Sequence, residues 1–191
     1  ALAGWRRSLV EEFLAMEDPD LQMEFWREKL DTGRLRWGLG ALLSARWLKR
    51  FYGAPLLEVL PPRFGEVMLS RMERCFSRHP NRSNPYARAL LLGSAVPLEP
   101  SPRAFPLRFV ESDAADFLEA CPAGSFDGFA LSNILDGAAP GYAARLLKAV
   151  RSAASPGGVL VRRSFAEPTG HISDNLAPQD RCFLWGTVEV V

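Results

Sequence analysis

Chemistry in this chain would have to come from a few polar residues that stand just beyond apolar, strand-like runs. Asp113-Ala114 follows such a run at 107–110 and opens a helical pattern. An Asp there can accept a hydrogen bond from an exocyclic amino group while the adjacent backbone N–H donates to a ring nitrogen, which is how an adenine edge is read. On the dipeptide alone, a plain helix N-cap is the simpler reading, since Asp is favoured at that position. A second run, 126–131, leads straight into Ser132, Asn133 and Asp136. These can orient charged or hydroxyl groups of a ligand, and they can equally cap a loop. Arg162 and Arg163 close a third run. Strand geometry turns them to opposite faces, so one can meet a ligand carboxylate. Tyr142, early in the helical pattern after the 132–136 cluster, is a further candidate for substrate contact. His171 lies in the polar stretch after the third run and His79 beside Pro80; a lone loop histidine is as a rule simply solvated.

The elements that must position these residues alternate. Strand-like 107–110, helical 113–120, strand-like 126–131, helical 139–154 and strand-like 158–163 form a β-α-β-α-β series, the sign of a parallel, doubly wound α/β sheet. In such a sheet ligands are held at the carboxyl ends of the strands, where the polar residues named above fall. Residues 181–191 suit one more strand with a bulge or turn at Gly186, closing the sheet edge.

The first 93 residues read as helical. Trp5, Leu9 and Phe13 recur at helical spacing, and Asp18-Pro19 pairs an N-cap acid with a proline at the first helical position. Leu21, Phe25 and Trp26 fall on one face as core contacts, with Gly33 ending that element. A further helix is expected over 38–52, and another carries Phe64, Val67, Met68, Met72 and Cys75 as far as His79-Pro80. Asn84-Pro85 repeats the cap-then-proline chemistry, and Gly93 closes the helix. Four prolines between 94 and 106 mark a linker. The expected organisation is therefore a helical layer or insertion over 1–93, a linker over 94–106 and half of a nucleotide-type α/β fold over 107–191.

Bulk properties narrow the class. Twenty-three basic and 22 acidic residues leave a net charge of +1, so no global field favours nucleic acid. Three well-separated cysteines, with no CxxC spacing, argue against a disulfide framework and a zinc site. Without a bilayer-length apolar run or a signal-like start, a cytoplasmic location is expected. The basic, aromatic run 46–52 could bring the protein to an anionic membrane surface, or form the solvated flank of a core helix.

The ordered set of strand, Asp-Ala, helix, the 126–136 stretch and Pro156-Gly157-Gly158 before a last strand resembles the second half of class I S-adenosylmethionine-dependent transferases. Phe25-Trp26, Gly38, Asn84-Pro85-Tyr86 with Leu91-Leu92-Gly93, the 126–136 stretch, and Pro156-Gly157-Gly158 with Arg163 look like the DUF3419 family. That family includes BtaA-like enzymes, which transfer the 3-amino-3-carboxypropyl group of S-adenosylmethionine to diacylglycerol. The resemblance implies a Rossmann-like core with a helical insertion. It also implies Asp113 and Ala114 at the adenine, Ser132 and Asn133 at the cofactor's amino and carboxylate groups, Arg163 and Tyr142 at the substrate, and Asp136 or His171 taking the acceptor's proton. One departure stands out. The family binds the methionine half with a glycine-rich loop after its first strand and the ribose with an acid ending its second, and neither unit is visible here. Gly33 to Gly40 has glycines but no preceding strand. The expectation is a fold lacking its N-terminal half, which would leave a sheet edge exposed. Transfer of a methyl group to a small molecule, or a non-catalytic interaction domain, are the alternatives.

Overall fold

A computed structural model describes residues 4–93, 106–168 and 175–191. Its amino-terminal part is built from helices α1 (Arg7–Leu14), α2 (Pro19–Phe25), α3 (Gly33–Leu42), α4 (Ala45–Leu48), α5 (Ala54–Val59), α6 (Phe64–Phe76) and α7 (Pro85–Leu92). Local chemistry starts several of them. The Asp18 carboxylate accepts from the Asp20 and Leu21 amides ahead of α2, and the Asn84 side chain does the same for Tyr86 and Ala87 ahead of α7. Gly93 then ends α7 in the left-handed conformation, at φ 67°.

Three expectations fail here. Gly33 begins α3, capped by the Thr32 hydroxyl, because a π-helical turn over Trp26–Leu30 has already ended the preceding helix. The single helix expected over 38–52 is broken at Leu43-Ser44, where the Ser44 side chain caps α4. Leu21 is exposed, whereas Phe25 and Trp26 are buried as expected.

The helices enclose an aromatic core. Phe76 meets Phe13 and Trp26, each with ring centroids 4.9 Å apart, and Phe183 from the carboxyl-terminal segment at 5.4 Å. A buried Gln22 side chain donates to the Phe76 and His79 carbonyls and accepts from the Asn81 amide, so its polar atoms are spent inside the core.

The remaining elements make a mixed α/β unit. Helix α8 (Ala114–Ala120), strand β1 (Phe126–Leu131), helix α9 (Pro140–Ala153), strand β2 (Ala154–Ser164) and strand β3 (Thr187–Val190) follow in order. β1 pairs with β2 in parallel, and β3 lies antiparallel on the far edge of β2. Ala115, Leu118, Leu146, Ala149, Val150 and Ala153 form its core, with Phe126, Phe129 and Leu160 against them. The Pro156-Gly157-Gly158 step is a bulge within β2 where the register with β1 shifts.

The strand expected over 107–110 is absent: this segment is extended but unpaired, with Leu107 80% and Phe109 91% exposed. A strand's backbone groups need a ladder partner. Among the described residues β1 has only β2 beside it, so one β-α-β unit forms instead of two.

Candidate functional site

Helix α8 precedes β1 and α9 follows it, so both begin at the carboxyl end of that strand. Asp113 caps α8. One carboxylate oxygen accepts from the Ala115 and Asp116 amides at 2.9 and 3.1 Å, and the other accepts from the Tyr142 hydroxyl at 2.9 Å. The amide bond from Asp116 and the tyrosine hydroxyl together hold the carboxyl below its ordinary range, and the same carboxylate raises the Tyr142 phenol. Tyr142, on the first turn of α9, thereby ties the two helix entrances together. Arg145, one turn further on, pairs with Asp116 and Glu119, which reinforces the tie. Each carboxylate oxygen has two lone pairs, so the Tyr142-bound oxygen keeps one acceptor position. The backbone N–H of Ala114 has no partner among the described residues. Adjacent residues of the chain therefore keep one acceptor and one donor uncommitted among the described residues.

The loop after β1 carries the second group. Asn133 starts a turn, its carbonyl accepting from the Asp136 amide at 3.0 Å. Neither the Ser132 hydroxyl nor the Asn133 carboxamide has a partner among the described residues. The Asp136 carboxylate takes up the loop-fastening role that its sequence position left open beside ligand contact. It accepts from the Ser164 hydroxyl at 2.6 Å and from the Phe165 amide at 2.8 Å, fastening the loop to the carboxyl end of β2. Gly137 follows at φ 75°, and a Cβ there would lie 2.6 Å from the Pro55 carbonyl carbon. Only glycine lets the loop press this closely on the start of α5.

A hollow of about 250 Å³ opens at the end of β2, with Asp136, Arg162, Arg163, Ser164, Glu167 and Glu189 among its walls. Arg162 faces Glu189 across the β2–β3 ladder and is paired with it. Arg163, half-buried, has no carboxylate partner among the described residues, which leaves its guanidinium for a ligand. The fold thus makes two groupings: Asp113, Ala114 and Tyr142 at the helix entrances, and Asp136 with Arg163 around the hollow. Ser132 and Asn133 belong to the loop that runs into Asp136 but do not line the hollow. His171 lies outside the described residues.

Arg71 is the residue that sequence reasoning missed. It is 2% exposed on α6, and its guanidinium donates to Glu167 at 2.6 and 3.1 Å, to the Phe165 carbonyl at 2.7 Å and to the Leu184 carbonyl. It therefore holds the 165–167 segment that forms one side of the hollow. Its signal was present, since it lies on the apolar stripe between Met68 and Met72, where a charge needs a reason. Gly186 allows the approach; a Cβ there would sit 2.3 Å from the Ala166 oxygen and 2.5 Å from the Arg71 guanidinium.

Two of the cysteines sit in surroundings that disfavour the thiolate. Burial pushes the Cys75 thiol up to about 12 and raises Cys182 as well. Among the described residues no cluster of His, Cys, Asp and Glu could hold a metal ion, and no helix is long and apolar enough to cross a membrane. No family model, curated protein or solved structure matches the chain.

Proposed function

We propose that this chain carries the carboxyl-terminal half of the sheet of an S-adenosylmethionine-dependent transferase, moving a 3-amino-3-carboxypropyl group to the hydroxyl of a diacylglycerol-like lipid. The observation that carries this reading is the entrance of α8. There the spare acceptor on Asp113 and the free N–H of Ala114 lie together, braced by Tyr142. These fit the adenine of the cofactor. The ordered motifs that resemble the DUF3419 family add the rest of the reading.

When bound, the cofactor's sulfonium supplies an electrophilic carbon and a neutral thioether leaving group. The chain's own residues would then bind and orient. Arg163, with no carboxylate partner among the described residues, is a cation for a ligand carboxylate. Ser132 and Asn133 offer uncommitted donors and acceptors to an amino, carboxylate or hydroxyl group. Asp136 keeps a lone pair on each oxygen beyond those bonded to Ser164 and Phe165; it, or His171, takes the acceptor's proton. Aligning the acceptor oxygen with the carbon–sulfur bond supplies much of the rate.

One observation favours a second reading, a non-catalytic interaction domain. Asp113 and Asp136 both have complete structural duties, and no glycine-rich loop follows any described strand. Calorimetric titration of the 191-residue chain with S-adenosylmethionine separates the two. Micromolar binding that is weakened by Asp113→Asn, which keeps the cap, supports the transferase; no binding supports the interaction domain. Mass spectrometry of the spent cofactor then distinguishes aminocarboxypropyl transfer, which leaves methylthioadenosine, from methyl transfer, which leaves S-adenosylhomocysteine.

A further inference from the structure

From residue 32 to residue 57 the chain contains Arg34, Arg36, Arg46, Lys49 and Arg50 and no acidic residue at all, although the whole chain is nearly neutral. Arg36 is paired with Asp31. The other four have no carboxylate partner among the described residues. Large aromatic side chains stand among them: Trp37 is 75% exposed, Phe51 68%, Tyr52 50% and Trp47 40%. The Trp47 and Phe51 rings meet at 6.0 Å, and the Arg50 guanidinium lies 5.3 Å from the Trp47 ring.

The fold makes one surface of them. Arg34, Trp37 and Ala41 are spaced three and four residues apart, which is one face of α3. Ala41 in turn lines a shallow hollow with Ser44, Arg46, Trp47 and Arg50. Beside it a largely apolar hollow of about 510 Å³ opens between Leu43, Leu48, Leu57, Leu60 and Phe64, with Arg63 and Glu66, paired with each other, also among its walls. Exposed tryptophan and tyrosine are costly in water and favourable at the headgroup level of a bilayer. Cations interleaved with them are attracted to anionic lipid, and the absence of acids removes the repulsion that would oppose it.

We propose that the surface formed by α3, α4 and the following residues through Tyr52 docks on an anionic phospholipid bilayer, lying on it rather than crossing it. The position of this surface is informative. Gly137, in the loop carrying Ser132 to Asp136, presses on the start of α5, immediately after Tyr52. A docked bilayer would therefore lie next to the loop that offers donors to an acceptor hydroxyl. That last link rests on the transferase reading; the docking does not.

Co-sedimentation of the full chain with phosphatidylcholine vesicles, with and without phosphatidylglycerol, tests the proposal in the absence of S-adenosylmethionine. Binding is expected to the phosphatidylglycerol vesicles and to weaken steeply with added salt. Arg46→Glu with Lys49→Glu and Arg50→Glu is expected to weaken it by roughly a hundredfold or more. Trp47→Ala with Phe51→Ala is expected to weaken it about tenfold, without removing the salt dependence. Far-ultraviolet circular dichroism shows whether each variant remains folded, and the salt titration of the unaltered chain needs no variant at all. A chain that stays in the supernatant, binds both vesicle types equally, or binds unchanged after charge reversal overturns the proposal. Because no cofactor is present, that failure leaves the calorimetric result standing, and failure to bind the cofactor leaves the vesicle result standing.

Discussion

The helical part and the sheet part of this protein differ in how completely they finish their own structure. The helices close on Phe13, Trp26, Phe76 and Leu30, all essentially without exposure, with Phe183 of the carboxyl-terminal segment against them; they satisfy the buried Gln22 amide among themselves, while Asn84 donates to the Cys75 sulfur and the Arg181 carbonyl. The α/β unit instead buries three alanines beside Leu118, Leu146 and Val150 and, among the described residues, no aromatic side chain fully. It leaves Val159 on β2 half-exposed and the 107–110 segment unpaired among the described residues. Helices satisfy their backbone hydrogen bonds within themselves, whereas each strand depends on a neighbour. A part-built helical layer can therefore still be a finished layer, while a part-built sheet always shows an edge.

The contrast can be broken most directly by removing one large side chain from each core. Trp26→Ala is expected to cost about 3–5 kcal/mol in urea unfolding, as for large aromatics in tight surroundings. Leu146→Ala, in the smaller core, is expected at the lower end of about 2–5 kcal/mol. Equal losses would show that the α/β unit is packed as tightly as the helices. A smaller effect is expected at the join. Arg71→Met removes the cation that holds Glu167 and the Phe165 and Leu184 carbonyls. Because Glu167 is half-exposed, the loss is expected at about 1–3 kcal/mol, the range for unsatisfied buried acceptors, rather than that of a fully buried ion pair. Hydrogen exchange should then rise in 165–167 before it rises in α1 or α2.

Asp113→Ala sharpens the comparison within the α/β unit. Loss of the cap is expected to lower the urea midpoint modestly, with Asp113→Asn retaining most of the stability. If both cost the same, the Tyr142 contact rather than the cap dominates. The smallest effect concerns His79, half-buried beside the helical core. Burial first, then the nearby Arg181, lowers its pKa below the ordinary value, with Asp180 opposing. The unfolded chain therefore takes up a proton near pH 6.5 that the folded chain refuses until lower pH. Stability from neutral His79 is complete above that pH and is lost as pH falls through and below it. The urea midpoint of the unaltered chain should fall between neutral and mildly acidic pH, and that of His79→Gln should fall less; parallel curves would remove His79 as the cause.

Local punctuation was legible in the sequence because its physics is local. Asp18, Asn84 and Asp113 accept from amides two or three residues on, Gly93 ends α7 through its own left-handed backbone, and each appears where expected. The parallel pairing of β1 with β2 and the closing strand β3 were legible from the same alternation of patterns. The strand at 107–110 was misread because its apolar alternation describes what a strand would bury, without supplying anything to pair with. The break between α3 and α4 was missed because Ser44 looks ordinary within an apolar, basic run until its hydroxyl is seen capping Trp47. For Asp136 the sequence left ligand contact and loop capping equally open, and its engagement with Ser164 and Phe165 is set by residues 28 and 29 positions away.

Residue types and their spacing by themselves determined the helix caps, the β-α-β order, the near-neutral charge and the acid-free basic stretch, since each is a property of neighbours along the chain. Tertiary structure alone decided that Tyr142 binds Asp113, that Arg71 is buried against the 165–167 segment, and that Gly137 meets Pro55. Those contacts join residues from 29 to 96 positions apart, and Gly137 and Pro55 are comparably distant in sequence. Contacts at such separations exist only once the chain has closed loops of that length, an entropic cost that the packing of both cores repays collectively and no local pattern records.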